Sequence, residues 1–149
     1  MTRDRDLTAY CGLYCGDCIP SNTRLFEMIE ELQELAAKLR LYDYAELLSR
    51  RDAACEDYPA FERMLAALAG WRCPSPCRAG GGRPSCLVRE CAREKGFDGC
   101  WECANRRGCE LLDPLRGFHR GTIDENLDAI AERGIDGWAD GRGRHYPWS

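Results

Sequence analysis

The chain has 149 residues, 44% of them hydrophobic, and a formal net charge of −4. That is enough apolar material for one small domain spanning 1–149, and no run of about eighteen apolar residues is present to cross a membrane as a helix. The acidic balance argues against a chain built as a whole to grip nucleic acid.

In chain order, residues 1–20 carry a first cysteine cluster, Cys11, Cys15 and Cys18. A nearly cysteine-free helical zone follows over 21–70. Ser21, Asn22 and Thr23 all suit a helix N-cap. Leu25, Ile29, Leu32, Ala36 and Leu39 then recur at three- and four-residue steps, widened by Phe26 and Leu35, and draw one apolar stripe. A second helix is predicted from near Asp43, with Glu46 completing a D-x-x-E capping arrangement. A third starts at Asp57-Tyr58-Pro59, turns Phe61, Leu65 and Leu68 inward, and ends at Gly70. The stripes read as the core of the domain itself.

Residues 71–112 form the main cysteine zone: Cys73, Cys77, Cys86, Cys91, Cys100, Cys103 and Cys109. A last helix over 122–134 opens on the capping box Thr122-Ile-Asp-Glu125, carries Ile123, Leu127, Ile130 and Ala131, and stops at Gly134 with Ile135 behind it. Residues 136–149 show no periodicity. With no alternating strand pattern anywhere, the expected fold is mostly α: a small helical domain with irregular cysteine-rich, metal-stabilised segments.

The spacing of the thiols points to metal. The segment Met1 to Leu7 lacks the apolar run of a secretory leader, so the expectation is a cytoplasmic protein whose thiols stay reduced. An odd count of eleven cysteines also argues against a complete disulfide set. Cys100-x2-Cys103 can aim two thiolates at one ion from a single turn, with turn N–H groups facing the sulfurs. Two prolines stiffen Cys73-Pro-Ser-Pro-Cys77. Cys86 and Cys91 can share a metal only if Cys86 lies outside the helix that holds Cys91, because five residues turn through roughly 140°. Gly108 lets the chain turn back at Cys109.

Cys11-x3-Cys15-x2-Cys18 is the triplet that holds a [4Fe–4S] cluster in radical enzymes. Those enzymes need a large α/β barrel, which this chain is too short and too helical to supply. The triplet reads better as one half of a closed site completed by later cysteines. Ten cysteines are therefore candidate ligands, and zinc, two ions or more, is the first reading; a [4Fe–4S] cluster is the alternative. Cys55, among Asp52, Glu56 and Asp57, reads as a partly buried small hydrophobe. His119 and His145 lack a second histidine at ligand spacing.

From Trp71 to Glu110 there are eight basic residues against five acidic ones. A four-thiolate zinc site carries a charge of about −2, so these arginines read first as its counter-charge and second as a nucleic-acid surface. No acid/base pair or phosphate-binding loop is visible, which argues against an enzyme.

Cys11-Gly-Leu-Tyr-Cys15-Gly-Asp-Cys18, Cys77-Arg, Cys86-Leu-Val-Arg-Glu-Cys91-Ala-Arg-Glu-Lys-Gly96, Cys100-Trp-Glu-Cys103 and Cys109-Glu-Leu111 together resemble the cysteine-rich domain of unknown function 3795, a prokaryotic family. Asn126 to Ile130, Gly134 and Trp138 resemble its C-terminal helix. The resemblance implies a small intracellular metal-binding protein, presumed to bind zinc, and brings no reaction. The long 21–70 segment and the loose Cys73-to-Cys77 spacing depart from the family's usual look. The expected function is a zinc-thiolate structural or interaction module with a protein partner. An iron–sulfur redox protein and a nucleic-acid-associated zinc protein are the alternatives.

Overall fold

The structure, a computed structural model, describes residues 3–149. It contains α1 (Arg3–Leu7), α2 (Thr23–Lys38), α3 (Leu41–Leu48), α4 (Tyr58–Ala69), α5 (Leu87–Glu94), α6 (Asp113–His119) and α7 (Thr122–Arg133), joined by short 3-10 turns. Among the described residues the only β pairing is an isolated antiparallel bridge between Thr8 and Tyr14. The architecture is mostly α. The chain divides into two compact units, Asn22–Arg72 on one hand and Met1–Ser21 with Cys73–Ser149 on the other.

The Asn22–Arg72 unit is three helices. Asn22 caps α2, its side-chain oxygen accepting the Leu25 N–H at 2.9 Å. Phe26 and Ile29 are buried with Leu65, and Leu68 and Ala69 pack beside them. The predicted stripe divides along its length. Ile29 and Ala36 are buried, but Leu25, Leu32 and Leu39 lie at the surface with Met28 and Leu35. The apolar arc of α2 is wider than its neighbours cover, so the reading of the whole stripe as core is corrected. α3 starts at Leu41, ahead of Asp43, because the Asp43 carboxylate accepts the Arg40 Nε–H at 2.6 Å instead of capping. Phe61 is exposed rather than inward, resting against the Tyr58 ring at 5.6 Å.

The cysteine-rich unit is centred on α7. Ile123, Leu127 and Ile130 are sealed from solvent and cluster with Leu13, Tyr14, Trp101, Leu112 and Trp138. Trp138 is fully buried and donates its indole N–H to Thr8 Oγ1 at 2.9 Å. The segment after Gly134, which shows no periodicity, thus supplies the largest fully buried side chain of the core. A lone buried indole leaves no repeating pattern to read. Gly12 sits at φ +85°, and a Cβ there would lie 3.0 Å from Leu127, so this loop needs glycine both for its backbone and for its close approach to α7. Asn126 ties the ends together: its amide donates to Gly12 O and its oxygen accepts the Gly143 N–H, both at 2.9 Å. The Thr122 capping box does not form. Thr122 Oγ1 donates to Arg144 O at 2.6 Å, drawn off by the C-terminal segment. Gly134, at φ +84°, ends α7, and Ile135 is buried behind it as expected.

Candidate metal centre

Both C-x2-C pairs adopt the same local structure. Cys15–Asp17 and Cys100–Glu102 are single 3-10 turns, and the closing cysteine is extended in each, Cys18 at φ −77° and ψ 125°, Cys103 at φ −82° and ψ 122°. The Cys18 N–H bonds Cys15 O at 3.2 Å and the Cys103 N–H bonds Cys100 O at 3.1 Å. The remaining cysteines come from caps and loops. Cys86 is the extended N-cap of α5, outside the helix, while Cys91 lies within it. Cys109 follows the turn Arg106–Gly108.

Four of these thiols share one cavity. Cys91, Cys100, Cys103 and Cys109 line a space of about 30 Å³, walled by Val88, Leu112 and other apolar groups. Burial, and then the neighbouring Cys109, Cys103, Cys91 and Cys86 sulfurs, push the Cys100 thiol up to about 12. Lys95 lies alongside, its ammonium held above the usual lysine range by Cys91 first, then by Cys103 and Cys109. Nothing in the sequence marked Lys95 out, because a single lysine in a basic zone carries no pattern.

A second group gathers around the N-terminal turn. Cys15 Sγ accepts the Cys77 N–H at 3.5 Å, and its thiol is raised by burial and by Cys77, Cys18 and Cys73. Burial and Cys73 likewise raise Cys18, which receives the Tyr146 hydroxyl at 3.7 Å. Cys73 Sγ accepts the Gly82 N–H at 3.1 Å. The loop that brings this donor round requires a glycine at 81, where a Cβ would fall 1.6 Å from Ser75 O. The donors to these sulfurs come from Ser21 just past Cys18, from other loops and from the C-terminal segment. Spacing alone could not show that.

Cys11 and Cys86 stand between the two groups. Cys11 is buried, and burial with repulsion from Cys77, Cys100 and Cys86 pushes its thiol up to about 12. Cys55 lies apart in the Asn22–Arg72 unit, in the turn Ala53–Asp57. His119 and His145 are buried in an aromatic cluster with Phe118 and Tyr146, and His119 Nδ1 meets His145 O. Burial, and then His119, lower His145 to about 4. All eleven cysteines are free thiols. Among the described residues, no three Cys, His, Asp or Glu side chains converge as a single-ion site.

The arginines of the cysteine zone largely serve the fold. Arg78 binds Asp98 at 2.9 Å and Thr8 O at 2.8 Å. Buried Arg89 donates to the carbonyls of Cys77, Gly81, Arg83 and Pro84. Arg106 and Arg107 share Asp128. Arg78, Arg89 and Arg107 are thus held by carboxylates and carbonyls, whereas Arg106 joins Lys95 in lining the Cys91 cavity and its buried Nε has no partner among the described residues.

The family model described as Protein of unknown function (DUF3795) matches residues 7–114, a span that includes all ten clustered cysteines. The chain belongs to this family. No curated protein and no solved structure matches it. Membership in this family brings no activity.

Proposed function

We propose that this DUF3795 protein holds metal through cysteine thiolates at two centres, one drawing on Cys91, Cys100, Cys103 and Cys109 and the other on Cys15, Cys18, Cys73 and Cys77. The observation that carries the reading is the shared cavity. Four cysteines from a helix, a turn and a loop line one small space, and no packing need calls for four thiols there. The donor set fits a thiophilic metal. A bound cation would reverse the electrostatics that now keep Cys100 protonated, and loading would release protons. Zinc supplies no redox chemistry, and in this reading the protein is a structural or interaction module in which metal fastens the cysteine loops to α7.

The cavity admits a second reading at the Cys91 centre. Four cysteines lining one cavity satisfy the ligand set of an iron–sulfur cluster as well as that of zinc, and a cluster would make that centre a redox site. Elemental analysis and visible absorbance of anaerobically purified protein test both readings. Zinc without colour supports the first; iron, sulfide and a broad visible band support the second. Cys103→Ser is expected to remove the metal of one centre, and Cys55→Ser to remove none. Protein that folds fully without either metal overturns the proposal.

A further inference from the structure

The outer face of α2 carries a pattern that the Asn22–Arg72 unit does not use. Leu25, Met28, Leu32, Leu35 and Leu39 follow one another at steps of three, four, three and four, and all are exposed, from 37% at Leu25 to 64% at Leu39. A 3-4 repeat held over two heptads has the spacing of a short helix-pair seam, with Leu25, Leu32 and Leu39 at one core position and Met28 and Leu35 at the other. One flank of that seam, Ile29 and Ala36, is already buried within the unit. The other flank is charged throughout: Arg24, Glu31 and Lys38.

We propose that this face docks on the same face of a second copy of the chain, with the two α2 helices antiparallel. The charges choose both orientation and register. An antiparallel pair brings the two charged flanks together and leaves the two apolar flanks on the side where each unit already covers them. With Leu32 opposite Leu35 of the second copy and Leu39 opposite its Met28, Glu31 lies beside Lys38 of the second copy, twice by symmetry. Sliding by one heptad sets Glu31 against Glu31 and Arg24 against Lys38, which like-charge repulsion disfavours. A parallel pair sets the charged flank against Ile29 and Ala36 and gains no ion pairs. Among the described residues Lys38 has no ion-pair partner, and the antiparallel register supplies Glu31, which within its own chain meets Arg24 at 3.5 Å. The contact is isologous, so it closes as a dimer and does not propagate.

Sedimentation of the full chain, purified with its metal, tests the proposal across a concentration series. A dimer is expected. Leu32→Glu buries a charge at the seam and is expected to give monomer with an unchanged helical circular dichroism spectrum. Lys38→Glu, at an exposed position that α2 does not need for folding, is expected to raise the dissociation constant roughly tenfold by turning two attractions into repulsions. Adding Glu31→Lys to that variant is expected to restore the dimer. A monomer at every concentration overturns the proposal, as does a dimer whose affinity Lys38→Glu leaves unchanged.

Discussion

The two units solve the problem of small size in opposite ways. The Asn22–Arg72 unit is ordinary helical sequence: capped starts, apolar periodicity, and a core of Phe26, Ile29 and Leu65. Its helices form locally and bury little, leaving a full apolar face of α2 in solvent. The cysteine-rich unit has short helices, many 3-10 turns, and a core assembled from distant pieces, with Leu13, Trp101, α7 and Trp138 meeting around one centre. Between its helices the chain is held by side-chain ties to carbonyls: Arg78, Arg89, Asn126 and Thr122 each fasten one loop to another. Local propensity builds the first unit, while long-range ties, and by our proposal metal, build the second.

Metal removal is the sharpest test of that contrast. Structural zinc in small domains contributes roughly 10–16 kcal/mol, so stripping the metal is expected to expose the amides of 73–112 to hydrogen exchange. The amides of α2 and α4 should keep their protection. Equal loss in both units breaks the comparison.

Trp138→Ala is expected to destabilise the cysteine-rich unit by about 3–5 kcal/mol, the usual range for truncating a buried large aromatic, and it also removes the indole donor from Thr8 Oγ1, which keeps its own bond to Asp4 O. Urea denaturation measures it, and a loss below about 1 kcal/mol removes the C-terminal segment from the core.

Acid should weaken the same unit next. His145 is buried with Nδ1 unpartnered, and its folded value lies near 4 against an ordinary 6.5. Above 6.5 the ring is neutral in both states and nothing is lost. As the pH falls from 6.5 toward 4 the unfolded chain takes up a proton that the folded chain refuses, so stability drops by up to a few kcal/mol. His145→Gln is expected to flatten that part of the pH profile, and a variant profile parallel to the parent's counts against the assignment.

The smallest effect lies in the other unit. Asn22→Ala removes the α2 cap and is expected to lower helix stability by about 1 kcal/mol without changing metal content. A change in metal content would show that the two units are less independent than their separate cores suggest.

Much of the local structure was legible in the sequence. The Asn22 cap, the Pro59 helix start, the Gly134 stop and the two C-x2-C turns each follow from side chains acting on their own backbone within a few residues. The Thr122 capping box was misread because Arg144 O competes for the same hydroxyl from far along the chain. Leu25, Leu32 and Leu39 were misread because periodicity reports which face is apolar and not whether anything covers it.

What the sequence by itself determined is therefore the helices α2, α3, α4 and α7 and the set of ten clustered thiols, since capping, periodicity and C-x2-C spacing act over short range; α1 and α6 carry no such signal. Only the tertiary structure decided how those thiols are grouped. Cys91 joins Cys100, Cys103 and Cys109 around one cavity, while Cys86, although outside the helix, lies with Cys11 between the groups. Grouping depends on where α5, the turns and the N-terminal loop are packed around α7, and packing is settled by Trp138, Asn126 and Gly12, residues far in sequence from most of the thiols they position.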